Sequence, residues 1–499
     1  MFKKILVANR GEIAVRVMRS AREMGIETVA VYHEVDKEAL YVSYADYAYR
    51  LTGDTPKSAY LDMEQIIETA LKSGAEAIHP GYGFLSERAE FAKKVTEAGI
   101  KFIGPMAESI EMMGSKTKAR ELMMNAGVPV VPGTKEKITD IERAKIIAAE
   151  LGFPVLLKAS AGGGGKGMRK VFDSADLEPA YEAASREALK AFGDDAVYIE
   201  KFIESPKHIE MQILADEHGN CVYLGERDCS IQRRHQKVIE EAPSSVLDDD
   251  LRKRMGDVAV NAAKACNYHN AGTIEFLLDR ERNFYFLEMN TRLQVEHAVT
   301  EVVTGINLVK AQIKIACGEE LEYTQDDIKI NGHAIECRIY AEDPFNEFMP
   351  DTGTINYHRQ PAGYGVRVDS GVESGSVVSI HFDPMLSKLI TYGRDRIEAI
   401  SRMEMALRNY RIKGVKTVIP FLLAVMQHPE FRYGWFDTGF IEHSFDFETL
   451  EKMKSEHQEI VAAITAYGLR MTQNAQKPSK VQPQISKWKE KHLLLRRLI

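Results

Sequence analysis

The chain has 499 residues, of which 44% are hydrophobic and 28% are charged, and these fractions are typical of a globular protein with about three domains. Its formal net charge of −8 argues against nucleic-acid binding, which requires a clustered basic surface. The five cysteines contain no Cys-x-x-Cys pair and no apolar stretch is long enough to span a bilayer, so we expect a reduced, cytoplasmic protein without a zinc site or a membrane anchor.

Short apolar segments alternate with a helical pattern in the first part of the chain. We expect a helix at 11–24 and strands at 4–8, 27–32, 77–79 and 101–103. This alternation predicts a parallel, doubly wound sheet in an N-terminal α/β domain at 1–113. The first turn contains a single glycine and lacks G-x-G-x-x-G, so a dinucleotide site is not expected.

A loop rich in turn-forming residues follows one of these strands at 79–87 and includes Tyr82. Loops at the carboxyl ends of parallel strands commonly bind ligands. The same residue types also form tight turns with buried aromatic side chains, and the pattern alone favours neither alternative.

A small α/β module is predicted at 131–203, and one of its strands ends at Lys158. The stretch that follows combines consecutive glycines with a lysine: Gly162, Gly163, Gly164, Gly165, Lys166 and Gly167. Glycine backbone can approach an anion closely, and the lysines supply charge. The stretch is not a Walker A loop, because glycine follows the lysine where Ser or Thr is required. A flexible hairpin tip is the alternative; we favour a mobile phosphate-binding lid, because ordering four glycines is costly.

Later segments carry weaker signals. We expect residues 230–243 to form a polar loop that is dense in cations. Taken singly, its charges are typical of a solvated face. Strands at 333–344, 365–369 and 386–392 predict an antiparallel sheet in a C-terminal domain at 331–447. The tail at 448–499 predicts a charged helix followed by a basic segment, which either docks on a partner or is a solvated terminal helix.

A hairpin at 273–288 carries the strongest local signal. Its strands flank a two-residue turn at Glu281 and Arg282, and in that register Glu275 lies directly opposite Glu288. Two facing carboxylates are destabilising unless a proton or a cation offsets them, and a hard divalent ion that also binds phosphate would do so. The alternative is an exposed hairpin whose acids are solvated.

Side-chain alternation assigns two faces to this hairpin. The polar face contains Thr273, Glu275, Leu277, Phe286, Glu288 and Asn290. The apolar face contains Ile274, Phe276, Leu278, Tyr285 and Leu287.

Four stretches, at 8–14, 79–87, 162–169 and 289–297, together make the chain resemble biotin carboxylase, an ATP-grasp enzyme, over roughly residues 1–447. The resemblance implies an ATP-grasp region at 114–330 that includes the lid at 131–203. It also implies ATP-dependent carboxylation of biotin by bicarbonate. The chain lacks a Met-Lys-Met biotinylation motif, so the biotin is expected on a separate carrier protein.

The resemblance implies a role for individual residues. The ATP ligands would be Lys116, Lys158, Gly162, Gly163, Gly164, Gly165, Lys166, Gly167, Met168, Glu200, Lys201, Ile203, His208, Gln232, His235 and Leu277. The ligands of Mg²⁺ or Mn²⁺ would be Glu275, Glu288 and Asn290. Bicarbonate would be held by Lys237, Arg292, Gln294 and Val295, with Glu296 as general base. Tyr82 and Arg338 would complete the substrate site, with Arg338 at the ureido oxygen of biotin.

The expected partners are a second copy of the chain, a biotin carrier protein or domain, and a carboxyltransferase subunit. The tail beyond 447 is similar to that of the carboxylase subunits in two-subunit pyruvate carboxylases. Acyl-CoA carboxylases are the other class of enzyme that the resemblance implies. Two positions depart from the family pattern: Ala298 stands where proline is usual, and 381–385 replaces a Tyr-Asp pair. The alternatives are another ATP-grasp ligase, which joins a carboxylate to an amine, and a regulatory ATP-binding subunit.

Overall fold

The N-terminal residues form a parallel sheet in the computed structural model, which describes residues 1–134, 138, 140–159, 168–192, 197–452 and 464–467. The elements are β1 Lys4–Val7, α1 Gly11–Glu23, β2 Glu27–Tyr32, α2 Leu40–Tyr44, β3 Tyr47–Arg50, α3 Pro56–Tyr60, α4 Met63–Ser73, β4 Ala77–His79, α5 Ala89–Glu97, β5 Lys101–Phe102 and α6 Ala107–Gly114. The sheet order is β3-β2-β1-β4-β5 with every pair parallel, which confirms the doubly wound prediction.

The next region contains the small α/β module. Its elements are α7 Lys116–Asn125, α8 Ile141–Leu151, β6 Val155–Ala159, β7 Met168–Val171, α9 Leu177–Phe192 and β8 Val197–Lys201. The three strands form an antiparallel sheet in the order β7-β6-β8, and Leu157 and Ile199 of this sheet share a core with Ala144 and Ala184 of the helices. The glycine stretch predicted to bind phosphate lies outside the described residues.

The remaining elements build one large sheet with helices on it. They are β9 Lys207–Ala215, β10 Cys221–Arg233, β11 Gln236–Ala242, α10 Asp249–Ala265, β12 Asn270–Leu278, β13 Phe284–Asn290, α11 His297–Thr304, α12 Leu308–Ala316, β14 His333–Tyr340, β15 Glu342–Asp343, β16 Met349–Pro350, β17 Gly353–Thr354, β18 Tyr357–Arg359, β19 Val366–Ser370, β20 Val377–Val378, β21 Met385–Gly393, α13 Arg396–Asn409, β22 Arg411–Lys413, α14 Ile419–Gln427, α15 Pro429–Tyr433 and α16 Phe440–His443. Short 3₁₀ helices lie at Glu34–Asp36 and Gln325–Asp327.

Eight of these strands form a single antiparallel sheet in the order β13-β12-β9-β10-β11-β14-β21-β19. The predicted C-terminal antiparallel strands are therefore present, and through the pairing of β11 with β14 they continue the sheet that begins with β9. Among the described residues, no helix is both long and apolar enough to cross a membrane.

The prediction of a polar loop at 230–243 is wrong. These residues are the end of β10, a turn at Arg234 and His235 with φ values of 52° and 64°, and the whole of β11. The error arises because Glu240 and Glu241 are buried on paired strands, whereas charges in a sequence usually indicate a solvated face.

The hairpin prediction is right at the acidic pair and wrong near the turn. Glu275 is opposite Glu288, as predicted, but the register shifts by one residue between Glu275 and Phe276. The turn contains one residue more than predicted, because Asp279 pairs with Asn283 and Arg282 adopts a φ of 68°. A bulge in β13 absorbs the extra residue and restores the pairing of the two acids.

This bulge also corrects the predicted faces. Phe286 is on the apolar face and is only 7% exposed, because it packs in the core with Phe276. Leu287, predicted on the apolar face, is 43% exposed, and Tyr285 is half-buried.

The tail belongs to a second unit at 446–499, separate from the unit at 1–445. Residues 447–452 and 464–467 have helical backbone, and the rest of the predicted helix and basic segment lies outside the described residues.

We expect Phe276→Ala to lower the free energy of unfolding by about 3–5 kcal/mol, because it removes a fully buried ring that packs edge-on against Phe284. Leu287→Ala is the matched control on the same hairpin and is expected to cost less than about 1 kcal/mol. Urea unfolding of both variants checks this, and equal losses would contradict the bulged register.

Candidate active site

The large sheet places a row of carboxylates on one face. Glu210 on β9 is directly opposite Glu275 on β12, which in turn is directly opposite Glu288 on β13. Residues directly opposite each other in an antiparallel pair point to the same side of the sheet. Glu210 and Glu275 are 0% and 4% exposed, so their charges require partners within the protein.

Lys237 on β11 supplies the principal counterion. Its Nζ donates to Glu210 at 2.5 Å, to Glu275 at 2.8 Å and to Glu296 at 2.7 Å. Burial alone would lower the pKa of Lys237, but these carboxylates outweigh it and raise the pKa well above its ordinary value. One ammonium group therefore holds three acids from three different segments together.

Arg227 on β10 is the second internal cation and was not found by sequence reasoning. It is fully buried, and its guanidinium donates to Glu210, Gln212, Thr273, Gln294 and Thr300. Arg227 therefore holds one carboxylate oxygen of Glu210 while Lys237 holds the other. Its contact with Gln294 connects the sheet to the segment that follows β13.

The segment 290–296 leaves β13 and carries alternating polar side chains into the site. Arg292 donates to Glu87 at 2.9 Å and to the side-chain oxygen of Asn290 at 2.8 Å. Gln294 donates to Glu275 at 2.8 Å, and the carbonyl of Val295 accepts from Lys388 at 2.5 Å. The four predicted bicarbonate ligands therefore lie in one neighbourhood, with Lys237 joined to this segment through Glu296.

Glu296 lies between two cations. Its Oε1 accepts from Lys237, and its Oε2 accepts from Arg338 at 2.9 Å. Burial would raise the pKa of Glu296, but Lys237 and Arg338 outweigh burial and hold the pKa well below its usual range. The carboxylate is consequently ionised at neutral pH, which a general base requires.

Arg338 on β14 is bound by a carboxylate of the neighbouring strand β11. Its Nε donates to Glu240 on β11 at 2.6 Å while its terminal nitrogen contacts Glu296. The same terminal nitrogen also lies 2.6 Å from Glu240, so the guanidinium is held between Glu240 and the proposed base.

The predicted metal ligands form a set of hard oxygen donors. Glu275 and Glu288 face each other, and Asn290 donates to Glu275 at 2.8 Å. Burial, followed by the charge of Glu275, raises the pKa of Glu288, which is the expected result when two carboxylates share a site. The residues fit a Mg²⁺ or Mn²⁺ ion, which prefers carboxylate and amide oxygens.

Four of the predicted nucleotide ligands lie near this metal set: Lys116, His208, Gln232 and Leu277. His208 lies 2.9 Å from Glu275 and 3.0 Å from the side-chain nitrogen of Gln232, and it is opposite Leu277 in the sheet. Lys116 begins α7 and its charge acts on Glu288.

The other predicted nucleotide ligands lie further out. His235 is exposed at the β10–β11 turn. In the small module, Lys158 pairs with Glu200, and the side chain of Lys201 donates to the carbonyls of Gly152 and Phe153 at 2.9 and 3.0 Å. Ile203 is 9% exposed just after β8. Gly162 to Gly167 lie outside the described residues, and Met168 is the first residue of β7.

The loop at 79–87 reaches the site through Glu87 and packs against the start of α1 through Tyr82. Glu87 contacts Arg292, which brings the loop to the predicted bicarbonate ligands. Tyr82 donates its hydroxyl to Glu12, and its carbonyl accepts from Asn9 at 2.8 Å. Tyr82 is thus anchored at the start of α1.

Sequence reasoning missed five charged residues that complete the site: Glu87, Glu210, Arg227, Glu240 and Lys388. An isolated acid in a predicted strand or loop, such as Glu87, Glu210 or Glu240, gives no signal of its partner. Only pairing across the sheet brings Glu210 and Glu275 together.

Three family models match the chain: the biotin carboxylase N-terminal domain over residues 1–110, the ATP-binding domain of the carbamoyl-phosphate synthase L chain over 115–324, and the biotin carboxylase C-terminal domain over 336–443. A pyruvate carboxylase subunit of Methanothermobacter thermautotrophicus is 54% identical over 92% of this chain and 94% of that protein. The chain belongs to the biotin carboxylase family.

Further biotin carboxylases agree with this assignment. Biotin carboxylase 1 of Bacillus subtilis is 52% identical over 89% of this chain and 98% of the relative. The biotin carboxylase domain dimer of 2-oxoglutarate carboxylase from Hydrogenobacter thermophilus, solved with MgADP, ADP and bicarbonate, superposes with a TM-score of 0.81 at 51% identity. That alignment covers 89% of this chain and 97% of the solved one.

We expect Arg227→Met to destabilise this biotin carboxylase by about 3 kcal/mol or more, because it removes one of the two cations that compensate the buried Glu210. Adding Glu210→Gln should recover part of the loss, since the buried charge is then absent. Arg186→Met, which removes an exposed pair with Glu182, is the control and should cost about 0.5 kcal/mol or less. Urea unfolding measures all three, and a stable Arg227→Met variant would contradict the structural role of Arg227.

Proposed function

We propose that the cluster around Lys237 carries out the ATP-dependent carboxylation of biotin that defines this family, with bicarbonate as the carbon source. The observation that supports this most strongly is the placement of Glu296. It is an ionised carboxylate between Lys237 and Arg338, next to the Arg292 and Gln294 side chains. The solved relative with MgADP and bicarbonate supports the same substrate set.

Bicarbonate would bind against Lys237, Arg292, Gln294 and the backbone of Val295. Because it is a weak nucleophile, it must lose its proton as it reacts, and Glu296 is the group positioned to take it. A bicarbonate oxygen then forms a bond to the γ-phosphorus of ATP as the bond to ADP breaks, which gives carboxyphosphate. Lys237 and Arg292 stabilise the negative charge that accumulates during this step.

The second half of the reaction transfers the carboxyl group. Carboxyphosphate breaks its carbon–oxygen bond to release CO₂ and phosphate, and the phosphate removes the ureido N–H proton of biotin. The ureido oxygen becomes negative, and Arg338 donates hydrogen bonds to it. The biotin nitrogen then forms its bond to CO₂.

Glu275, Glu288 and Asn290 would hold the divalent ion, which, when bound, neutralises charge on the ATP phosphates. Lys116, Lys158, His208, Gln232 and His235 would hold the nucleotide. The stretch from Gly162 to Gly167 would close over it and exclude water, which carboxyphosphate requires because it hydrolyses readily.

The biotin would be carried by a separate carrier protein, and a carboxyltransferase would pass the carboxyl group to the final acceptor. Relatives named as subunits of pyruvate carboxylase and of 2-oxoglutarate carboxylase support this division, because similar chains act with different acceptors. A homodimer is proposed on the basis of the solved relative that is a dimer. Another ATP-grasp ligase is not favoured, since both flanking domains match biotin carboxylase.

We expect the purified chain to hydrolyse ATP in the presence of bicarbonate and to do so faster when free biotin is added. Glu296→Gln should lower biotin carboxylation by at least about 100-fold, because it removes the base, while equilibrium binding of ATP changes by less than about twofold. Carboxybiotin formation and ATP titration measure the two effects.

Glu320→Gln makes the same chemical change at an exposed site and serves as the control. An ATP hydrolysis rate that biotin does not change would contradict the proposed function. A large loss of ATP binding in Glu296→Gln would contradict the assignment of Glu296 as general base.

A further inference from the structure

Two buried carboxylates lie side by side behind Arg338. Glu240 on β11 and Glu336 on β14 are direct partners in the antiparallel register, so their side chains point to the same face of the sheet. Both residues are 0% exposed. Glu336 precedes Arg338 by two residues on the same strand and therefore shares that face as well.

Only one of these acids has a cation in direct contact. Arg338 Nε donates to one oxygen of Glu240 at 2.6 Å. Within the described part of the chain, no hydrogen bond reaches the other oxygen of Glu240 or either oxygen of Glu336. Lys388, which is opposite Arg338 on β21, donates to the carbonyl of Val295.

The ionisable groups that interact electrostatically with the pair are Arg338, Lys388, Lys237, Glu296, Tyr82, Tyr340, Cys229 and Cys337. Two ionised carboxylates in this position would repel each other and would leave three buried oxygens without a partner. A single proton removes the repulsion and gives partners to two of these three oxygens, because the O–H of Glu336 can then donate to the free oxygen of Glu240.

The electrostatics agree with one bound proton. Burial raises the pKa of Glu336 well above its ordinary value, and the charge of Glu240 adds to this although Lys388 opposes it. Burial also raises the pKa of Glu240, but the contact with Arg338 opposes this, so of the two acids Glu336 holds a proton more strongly.

We propose that Glu336 is protonated and donates a hydrogen bond to Glu240, and that this pair is a positioning device that aims Arg338 at biotin. The inference rests on the proposed function, which makes the ureido oxygen the target of Arg338. Glu240 keeps its negative charge and contacts both Nε and the terminal nitrogen that donates to Glu296, which fixes the orientation of the guanidinium. Loss of the proton places a second negative charge behind Arg338, where it competes with the ureido oxygen for the guanidinium, so carboxylation falls at high pH.

Glu240→Gln and Glu336→Gln are matched variants, since each makes the same isosteric change on one of two opposed strands. Glutamine resembles a protonated acid, so Glu336→Gln should change the KM for biotin by less than about twofold at neutral pH and should remove the fall in kcat/KM at high pH. Glu240→Gln should raise the KM for biotin by about tenfold or more, because Arg338 loses the anion that accepts from Nε. A rise in Glu336→Gln as large as that in Glu240→Gln would overturn the proposal.

Infrared spectroscopy of the full chain tests the proton without relying on biotin. The wild-type protein at neutral pH should show the C=O band of a buried, protonated carboxyl group, and Glu336→Gln should lack it. Absence of this band from the wild type would overturn the inference, even if Glu240→Gln failed to fold. If biotin changed the ATP hydrolysis rate of none of the proteins, the proposed function would fail, and the infrared band would still decide whether the proton is present.

Discussion

The contact of Lys237 with Glu210, Glu275 and Glu296 is the interaction on which the rest of the site depends. These acids come from β9, β12 and the segment after β13, and all three are almost completely buried. Without a cation at their centre, their mutual repulsion would be about 4 kcal/mol for each pair 4 Å apart at an effective dielectric constant of 20. Lys237, which contacts all three, and Arg227 and Arg338, which contact Glu210 and Glu296, together allow the sheet to bring these carboxylates close to one another.

This arrangement links the fold to the reaction. The cations of the site contact its own acids: Lys237 contacts three carboxylates, and Arg292 contacts Glu87. In the proposed reaction, bicarbonate and the ATP phosphates would bring negative charge to the same cations, and the divalent ion would bring positive charge to the acids. We infer that substrate binding exchanges these internal ion pairs for ligand contacts, so little new charge has to be buried without a partner.

Much of this could be predicted from the sequence, for reasons that differ between segments. The parallel sheet follows from alternation of short apolar segments with helices, and the facing of Glu275 and Glu288 follows from hairpin symmetry. The hairpin prediction missed both the longer turn and the bulge, whose effects cancel at the acidic pair. The end of β10 and the whole of β11 were missed, because the partners that neutralise Glu240 and Glu241 lie far away in sequence: Arg338 and Arg396.

The path of a bicarbonate oxygen gives the most direct measurement of the proposed chemistry. With ¹⁸O-labelled bicarbonate, ATP and biotin, bond formation from a bicarbonate oxygen to the γ-phosphorus predicts that one labelled oxygen appears in each phosphate released. Mass spectrometry of the phosphate detects it. Phosphate without label, formed together with carboxybiotin, would contradict attack by bicarbonate on ATP in this site.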